Sequence, residues 1–475
     1  MTPRLVTAYA ALPPPSALLR LGSGLGRETS AVPMKIAVVG AGWAGMAATV
    51  AAVQAGHDAT VFEAARAVGG RAKALLCTLP DGSHATLDNG QHILIGAYTK
   101  TLGLMRTVGL NPEALLLRQP LSLPFIDGTG LQTPQWAGQW PAPLDALAAI
   151  ATARGWSWAD RWSLTQAAMV WQLRGFQCAP HATVAGLCCK LTPRILQELI
   201  EPLCVSALNT PAAQASAQVF LKVLKDSLFG VRGGSNLLLP QVDLSSLFPA
   251  AAAAWASQAP TAERPGQARI HCGQRVKSLL WQAPHWRVDG ALFDRVIWAT
   301  SASDAAKALE EYALSAPKSI ANGMRYWAAA AGAMHFEAIA TVYAYAPGVR
   351  LPHAMLALRS SAAEPAQFVF DRRQLGGPDG LLAFVVSASQ GSREELQAAV
   401  LAQAASQLRA LGGDRLQAVQ TVIEKRATFA CTPALPRPHP SIAPGLVAAG
   451  DYVYGAYPAT LEGAVRSGLA AVHTL

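Results

Sequence analysis

The chain has 475 residues, 51% hydrophobic and only 14% charged, with a formal net charge of +9. That length allows a sizeable core and two domains sharing one cofactor, and the positive balance favours acidic surfaces. Two classes are excluded: no run of eighteen or more uncharged apolar residues exists to span a membrane, and no basic–aromatic run, zinc spacing or helix-turn-helix pattern points to nucleic acid. The nearest candidate span, 247–262, is broken by Pro249, Ser257, Gln258 and Pro260. Seven cysteines without a CxxC pair suggest a reducing cytosol, and no metal site is expected. Residues 1–33 are rich in Pro, Ala, Leu and Ser, and Pro13, Pro14 and Pro15 interrupt any signal-peptide helix. They read as a disordered tail, or as an upstream start with Met34 the natural beginning.

In chain order, 36–39 is an apolar run suited to a buried parallel strand. Gly40, Gly42 and Gly45 follow with Trp43 and Ala44 between them, then an Ala-rich helix over 46–55 stopped by Gly56. A second strand, 59–62, ends at Glu63. Gly40 permits the tight turn, Gly42 admits a pyrophosphate close to the backbone, and Gly45 lets the helix pack on the strand. The pyrophosphate would sit at the positive helix end, with Glu63 accepting from the adenosine ribose hydroxyls. Gly69-Gly70-Arg71 comes next, then the polar stretch from Asp88 through Asn89, Gly90 and Gln91 to His92.

Residues 99–224 look largely helical, and Trp136, Trp140, Trp156, Trp158, Trp162 and Trp171 fall close together there. Two readings stand: aromatic packing in a helical core, or a greasy mouth resting on a membrane with Arg154 and Arg161 toward lipid phosphates. Residues 268–276, 286–290 and 293–300 read as strand, hairpin and return strand. Strands are expected at 342–345, 368–370 and 382–386. The prolines from Pro433 to Pro440 read as an ordered loop, with a partner-binding motif as the alternative. An apolar strand then ends in Gly450-Asp451, and a helix opens after Tyr457, Pro458, Ala459, Thr460 and Leu461. Glycine-bearing strand-to-helix units at both ends of the chain are best explained by one shared dinucleotide.

The paired glycine and arginine at 69–71 resemble the motif of the amine oxidase, protoporphyrinogen oxidase and phytoene desaturase flavoprotein superfamily. The resemblance implies FAD as cofactor, with Gly70 and Arg71 against its diphosphate and the Val276 backbone on adenine. It places Gly90 and His92 beside the flavin, Asp451 at the ribityl or phosphate region, and the helix from Thr460 and Leu461 toward the flavin N1/O2 edge. Further stretches at 87–98, 201–211, 215–220, 425–430 and 450–468 closely resemble the hydroxysqualene dehydroxylases, also called squalene-associated FAD-dependent desaturases, from Met34 onward. The aromatic stretch from Tyr452 to Tyr457 departs from that pattern.

The implied fold is α/β: a Rossmann-like FAD-binding domain with a parallel sheet (34–98, 225–305 and 425–475) plus a mixed α+β substrate domain (99–224 and 306–424). The implied reaction is reductive, hydroxysqualene to squalene, in hopanoid biosynthesis. Its proton donor would be His92, oriented by Asp88 or replaced by it; the alternative makes 88–92 a loop that only holds flavin and backbone. Implied partners are an apolar triterpenoid, an anionic membrane surface and other squalene-pathway enzymes, with a cytoplasmic location at the inner face of the membrane. A carotenoid-type desaturase, an amine oxidase and a non-catalytic prenyl-chain carrier are the rival readings.

Overall fold

A computed structural model describes residues 32–138, 140 and 143–474. The expectation for residues 1–33 lies, except at 32 and 33, outside them. The apolar run at the start of this stretch is unbroken because both faces of its strand are covered. Ile36 and Val38 face one hydrophobic cluster with the first helix, while Ala37 and Val39 face another with Phe62 and Phe293. That strand, Lys35–Val39, lies between Asp58–Glu63 and Arg295–Trp298, parallel to both. Ala268–Cys272 extends the sheet on one side. Leu446–Ala448 adds a parallel strand on the other, and Ser441–Ala443 closes the edge antiparallel. Between the sheet's Ala268–Cys272 and Arg295–Trp298 strands, Leu279–Gln282, His285–Val288 and Ala291–Phe293 form an antiparallel meander. The fold is the expected α/β arrangement with a parallel sheet.

The first helix is Trp43–Gln54, three residues earlier than the 46 expected, because Gly42 is already its N-cap. Gly45 therefore sits inside the first turn, where a Cβ would come 1.9 Å from the Gly40 carbonyl oxygen. The C-terminal helix, Leu461–His473, packs on it so closely that a Cβ at Gly468 would meet the Ala44 carbonyl at 2.2 Å. Glu462 is fully buried and ties in a third helix, Thr99–Thr107. Its carboxylate accepts from the backbone N–H of Lys100 (3.1 Å) and Thr101 (2.9 Å), from the Thr101 hydroxyl (2.7 Å) and from Arg466 Nε (2.7 Å).

The second sheet is antiparallel, in the order Met355–Ala357, Phe368–Asp371, Leu381–Ser387, Phe336–Tyr345, Gln417–Phe429. All three strands expected in this region are present. Alternation decides its two faces: Val342, Val369 and Phe384 pack beneath the helix Arg393–Gln407, while Tyr343, Phe368 and Phe370 turn to the main core.

Residues 99–224 are less helical than expected. Leu116–Gln119, Ser122–Pro124 and Gly130–Gln132 are strands, the first paired with Leu237–Pro240. Apolar runs this short do not separate strand from helix by period. The boundaries expected at 225 and 425 fall inside the helix Ala217–Phe229 and the strand Gln417–Phe429, since single continuous elements connect the two regions. No described helix is long and apolar enough to cross a membrane.

Glu462→Ala strands two buried backbone donors, a buried hydroxyl and an arginine, so unfolding free energy should fall by about 2–3 kcal/mol. Urea melts of the two proteins measure this, and an unchanged midpoint would contradict it.

Candidate active site

The two glycine-bearing turns expected to share a cofactor are neighbours in space. Their strands flank Arg295–Trp298, one on each side, and their helices pack together. Both turns line one cavity of about 970 Å³. Of the residues expected here, Gly40, Gly42, Trp43, Ala44, Glu63, Gly70, Arg71, Gly90, His92, Val276, Gly450, Asp451, Thr460 and Leu461 all line it. Gly45 does not; its role is the packing described above. Asp88 does not either.

The glycine end has the form a dinucleotide needs. Gly42 and Gly70 face each other, and a Cβ on Gly70 would come 3.1 Å from Gly42 Cα, filling the cleft. The first turn after Gly42 has no acidic residue and no side-chain cap, so its N–H groups and the helix dipole remain available to an anion. Glu63 is held in place by its own loop, accepting from the N–H of Ala41 (2.7 Å) and Ala65 (2.8 Å). The segment that includes Val276 is anchored to the Glu63 backbone through the Gln274 N–H (2.8 Å), and the Val276 carbonyl accepts from the Tyr312 hydroxyl (3.0 Å).

Arg71 and Asp451 pair directly at 2.6 Å, 380 positions apart in sequence. Arg71 also donates to the Ala427 carbonyl (2.6 Å). The neighbouring Asp451 carboxylate raises the guanidinium's affinity for its proton. Thr460 caps the last helix, accepting from the Gly463 N–H at 2.9 Å.

The loop between Asp88 and His92 is divided by the fold. The Asp88 carboxylate is buried away from the cavity and accepts from the Leu244 N–H (2.8 Å); the Tyr343 hydroxyl donates to its backbone carbonyl (3.0 Å). Burial, opposed by that N–H and by Arg372, pushes the Asp88 carboxyl up to about 6. His92 lines the cavity, with Nδ1 2.8 Å from the Gly90 carbonyl. A carbonyl only accepts, so Nδ1 carries the hydrogen and Nε2 of the neutral ring is an acceptor. Burial, opposed by the hydrogen bond to Gly90 and aided by Arg71, holds the His92 pKa below its ordinary value. The expected orientation of His92 by Asp88 is not found: Asp88 makes no hydrogen bond to the ring and is turned to Leu244 instead.

A carboxylate that sequence reasoning passed over lies in the cavity instead. Glu424 accepts from Asn89 Nδ2 at 3.1 Å, and Asn89 also donates to the Arg71 carbonyl (2.9 Å). Its signal was readable: Val422 and Glu424 alternate on the cavity face of the Gln417–Phe429 strand, a charge where the pattern calls for an apolar residue. Beyond this polar end the character changes. The helical arm is walled by residues such as Leu164, Leu199, Leu203, Phe220, Leu224 and Phe229, and no lining residue between 121 and 229 is charged. Tyr452 and Tyr457 reach the cavity, but Tyr454 is exposed beneath Arg437.

Asp88→Asn tests the buried carboxyl. Its pKa is raised on folding, so the folded state carries no penalty below about pH 4 and the full penalty above about pH 6. A rise from 3.8 to about 6 corresponds to roughly 3 kcal/mol. The variant should therefore gain in Tm on the parent as pH rises from 4 to 7; parallel Tm profiles would refute this.

Residues 43–475 match the family model described as flavin containing amine oxidoreductase. Hydroxysqualene dehydroxylase of Rhodopseudomonas palustris is 26% identical over 453 residues, covering 91% of this chain and 96% of that protein. Zeta-carotene desaturase of Synechocystis is 38% identical over only 76 residues, so the match spans 16% of this chain and 15% of that relative. The crystal structure of an oxidoreductase from Methanosarcina mazei superposes with a TM-score of 0.65 over 93% of this chain and all of its own, at 16% identity, which shows a common fold.

Proposed function

Since the chain belongs to the flavin containing amine oxidoreductase family and is an FAD-dependent oxidoreductase, we propose that it reduces hydroxysqualene to squalene. The observation that carries this reading is the uncharged helical arm of the cavity, with its charged groups gathered at the cofactor end. A long hydrocarbon gains from burial there at roughly 25 cal/mol per Å², whereas a short amine would leave most of that apolar wall uncovered. That speaks against an amine substrate, as does the outward placement of Tyr454. The near full-length similarity to a hydroxysqualene dehydroxylase, against a short local one to a carotene desaturase, favours the dehydroxylation over the oxidative reading.

In this reading the parallel sheet and its glycine turns bind FAD, while the helical arm and the antiparallel sheet hold the substrate. The bound, reduced cofactor supplies the hydride that replaces the hydroxyl group. The protein must protonate that hydroxyl, because hydroxide leaves poorly while water leaves readily from an allylic carbon. Glu424, at the junction of the polar end and the apolar arm, is the group we assign to hold this proton. The acceptor Nε2 of His92 orients the hydroxyl by taking its hydrogen bond. The walls of the arm keep bulk water from the allylic cation. The net change takes one hydride and one proton into the substrate and releases one water.

Photoreduced enzyme incubated anaerobically with hydroxysqualene should yield squalene in single turnover while its flavin reoxidises. Oxidised enzyme given phytoene should yield no desaturated product; the opposite pair of results would establish the desaturase reading. Glu424→Gln should lower turnover about 100-fold with flavin content retained, as expected for loss of a general acid. His92→Gln should cost only about 3–10-fold, the value of one hydrogen bond. A reversed ranking would return the acid role to His92.

A further inference from the structure

Four of the six clustered tryptophans are not core. Trp156 and Trp171 are buried, at 5% and 6% exposure, but Trp136 and Trp140 are exposed and Trp158 and Trp162 stand 82% and 69% open. The last two begin a stripe along the helix Trp158–Leu173 that continues through Met169, Val170 and Leu173, all exposed. At 100° per residue these five side chains fall within an arc of about 120°. The helix thus shows an apolar stripe to the outside as well as burying Leu164 and Trp171 inside. The neighbouring helix Leu144–Thr152 does the same with Leu144 and Leu147. Leu147 and Met169 are exposed and also line the cavity, so its apolar arm reaches the surface between these two helices.

The charges around this face have one sign. Between residues 128 and 197 the only acids are Asp145 and Asp160, and both are buried within their own hydrogen bonds. Arg154 lies just before the stripe and Arg174 just after it, both exposed. Arg194 reaches the Gly155 carbonyl beside Arg154, and Arg161 lies over the Trp158 ring at 5.2 Å. An exposed apolar stripe with cationic ends and interfacial tryptophans matches an anionic bilayer surface. A second copy of the chain is a poor occupant, since pairing this face with itself would set arginines near arginines.

We propose that the face formed by helices Leu144–Thr152 and Trp158–Leu173 docks on an anionic lipid bilayer, so that the cavity opens into the membrane. The proposal gives the apolar substrate a route that avoids water, and in that one respect it rests on the function proposed above. Cosedimentation of the holoenzyme with phosphatidylcholine vesicles, with and without phosphatidylglycerol, tests it without reference to turnover. A failed dehydroxylation assay therefore leaves it standing, and failed vesicle binding leaves the dehydroxylation standing. Binding should require phosphatidylglycerol and weaken with salt. The double variant Trp158→Ser, Trp162→Ser should bind at least about tenfold less, since each indole contributes on the order of 1–3 kcal/mol of burial. Neither residue lines the cavity, so flavin content, Tm and turnover of detergent-dispersed substrate should match the parent. Equal vesicle binding by parent and variant, or none by the parent, would overturn the proposal. So would light scattering that shows a dimer abolished by the same substitutions.

Discussion

Close contact between the first helix and the last sets the geometry of the whole site. Ala44, Ala47 and Gly468 present almost no side-chain volume at that contact, so the helices approach until backbone nearly meets backbone. With the strands before them held on either side of Arg295–Trp298, the two helix N-termini are forced toward one cavity. Both positive helix ends thus face one space, and the Arg71–Asp451 pair joins the two turns electrostatically. Buried Glu462 fixes the last helix in rotation by using three donors from Thr99–Thr107, which is why that helix sits with the cofactor layer.

The cavity divides its chemistry by what its walls can offer. At the glycine end, backbone N–H groups, Glu63, Arg71, Glu424 and Asp451 form a polar cradle suited to a charged dinucleotide. Along the helical arm there is no charge and most of the wall is apolar, so burial of apolar area is the main attraction it offers. A hydrocarbon with one hydroxyl group fits such a division, its oxygen at the polar end and its chain in the arm.

The dinucleotide signature was legible in the sequence because each requirement is local: a glycine where a Cβ would clash, an acid at the end of the second strand, an apolar run where both faces are covered. The strands at 342–345, 368–370 and 382–386 were legible through side-chain alternation for the same reason. The polar loop was not. Asp88, Asn89 and His92 look equivalent in one dimension, yet the turn sends the Asp88 carboxylate to the Leu244 N–H and leaves Asn89 and His92 at the cavity. Likewise six clustered tryptophans look alike until the helix phase makes Trp171 core and Trp158 surface.

Sequence alone determined the fold class and the glycine-bearing turns that line one shared cavity, because those depend on backbone sterics within short segments. Only the tertiary structure decided which ionisable groups can act there. Protonation depends on burial and on what the fold brings beside each group: the Leu244 N–H and Arg372 for Asp88, and Arg71 for His92. The helical phase of the Trp158–Leu173 segment was available in one dimension, but its outward direction was fixed by what the rest of the chain packs against.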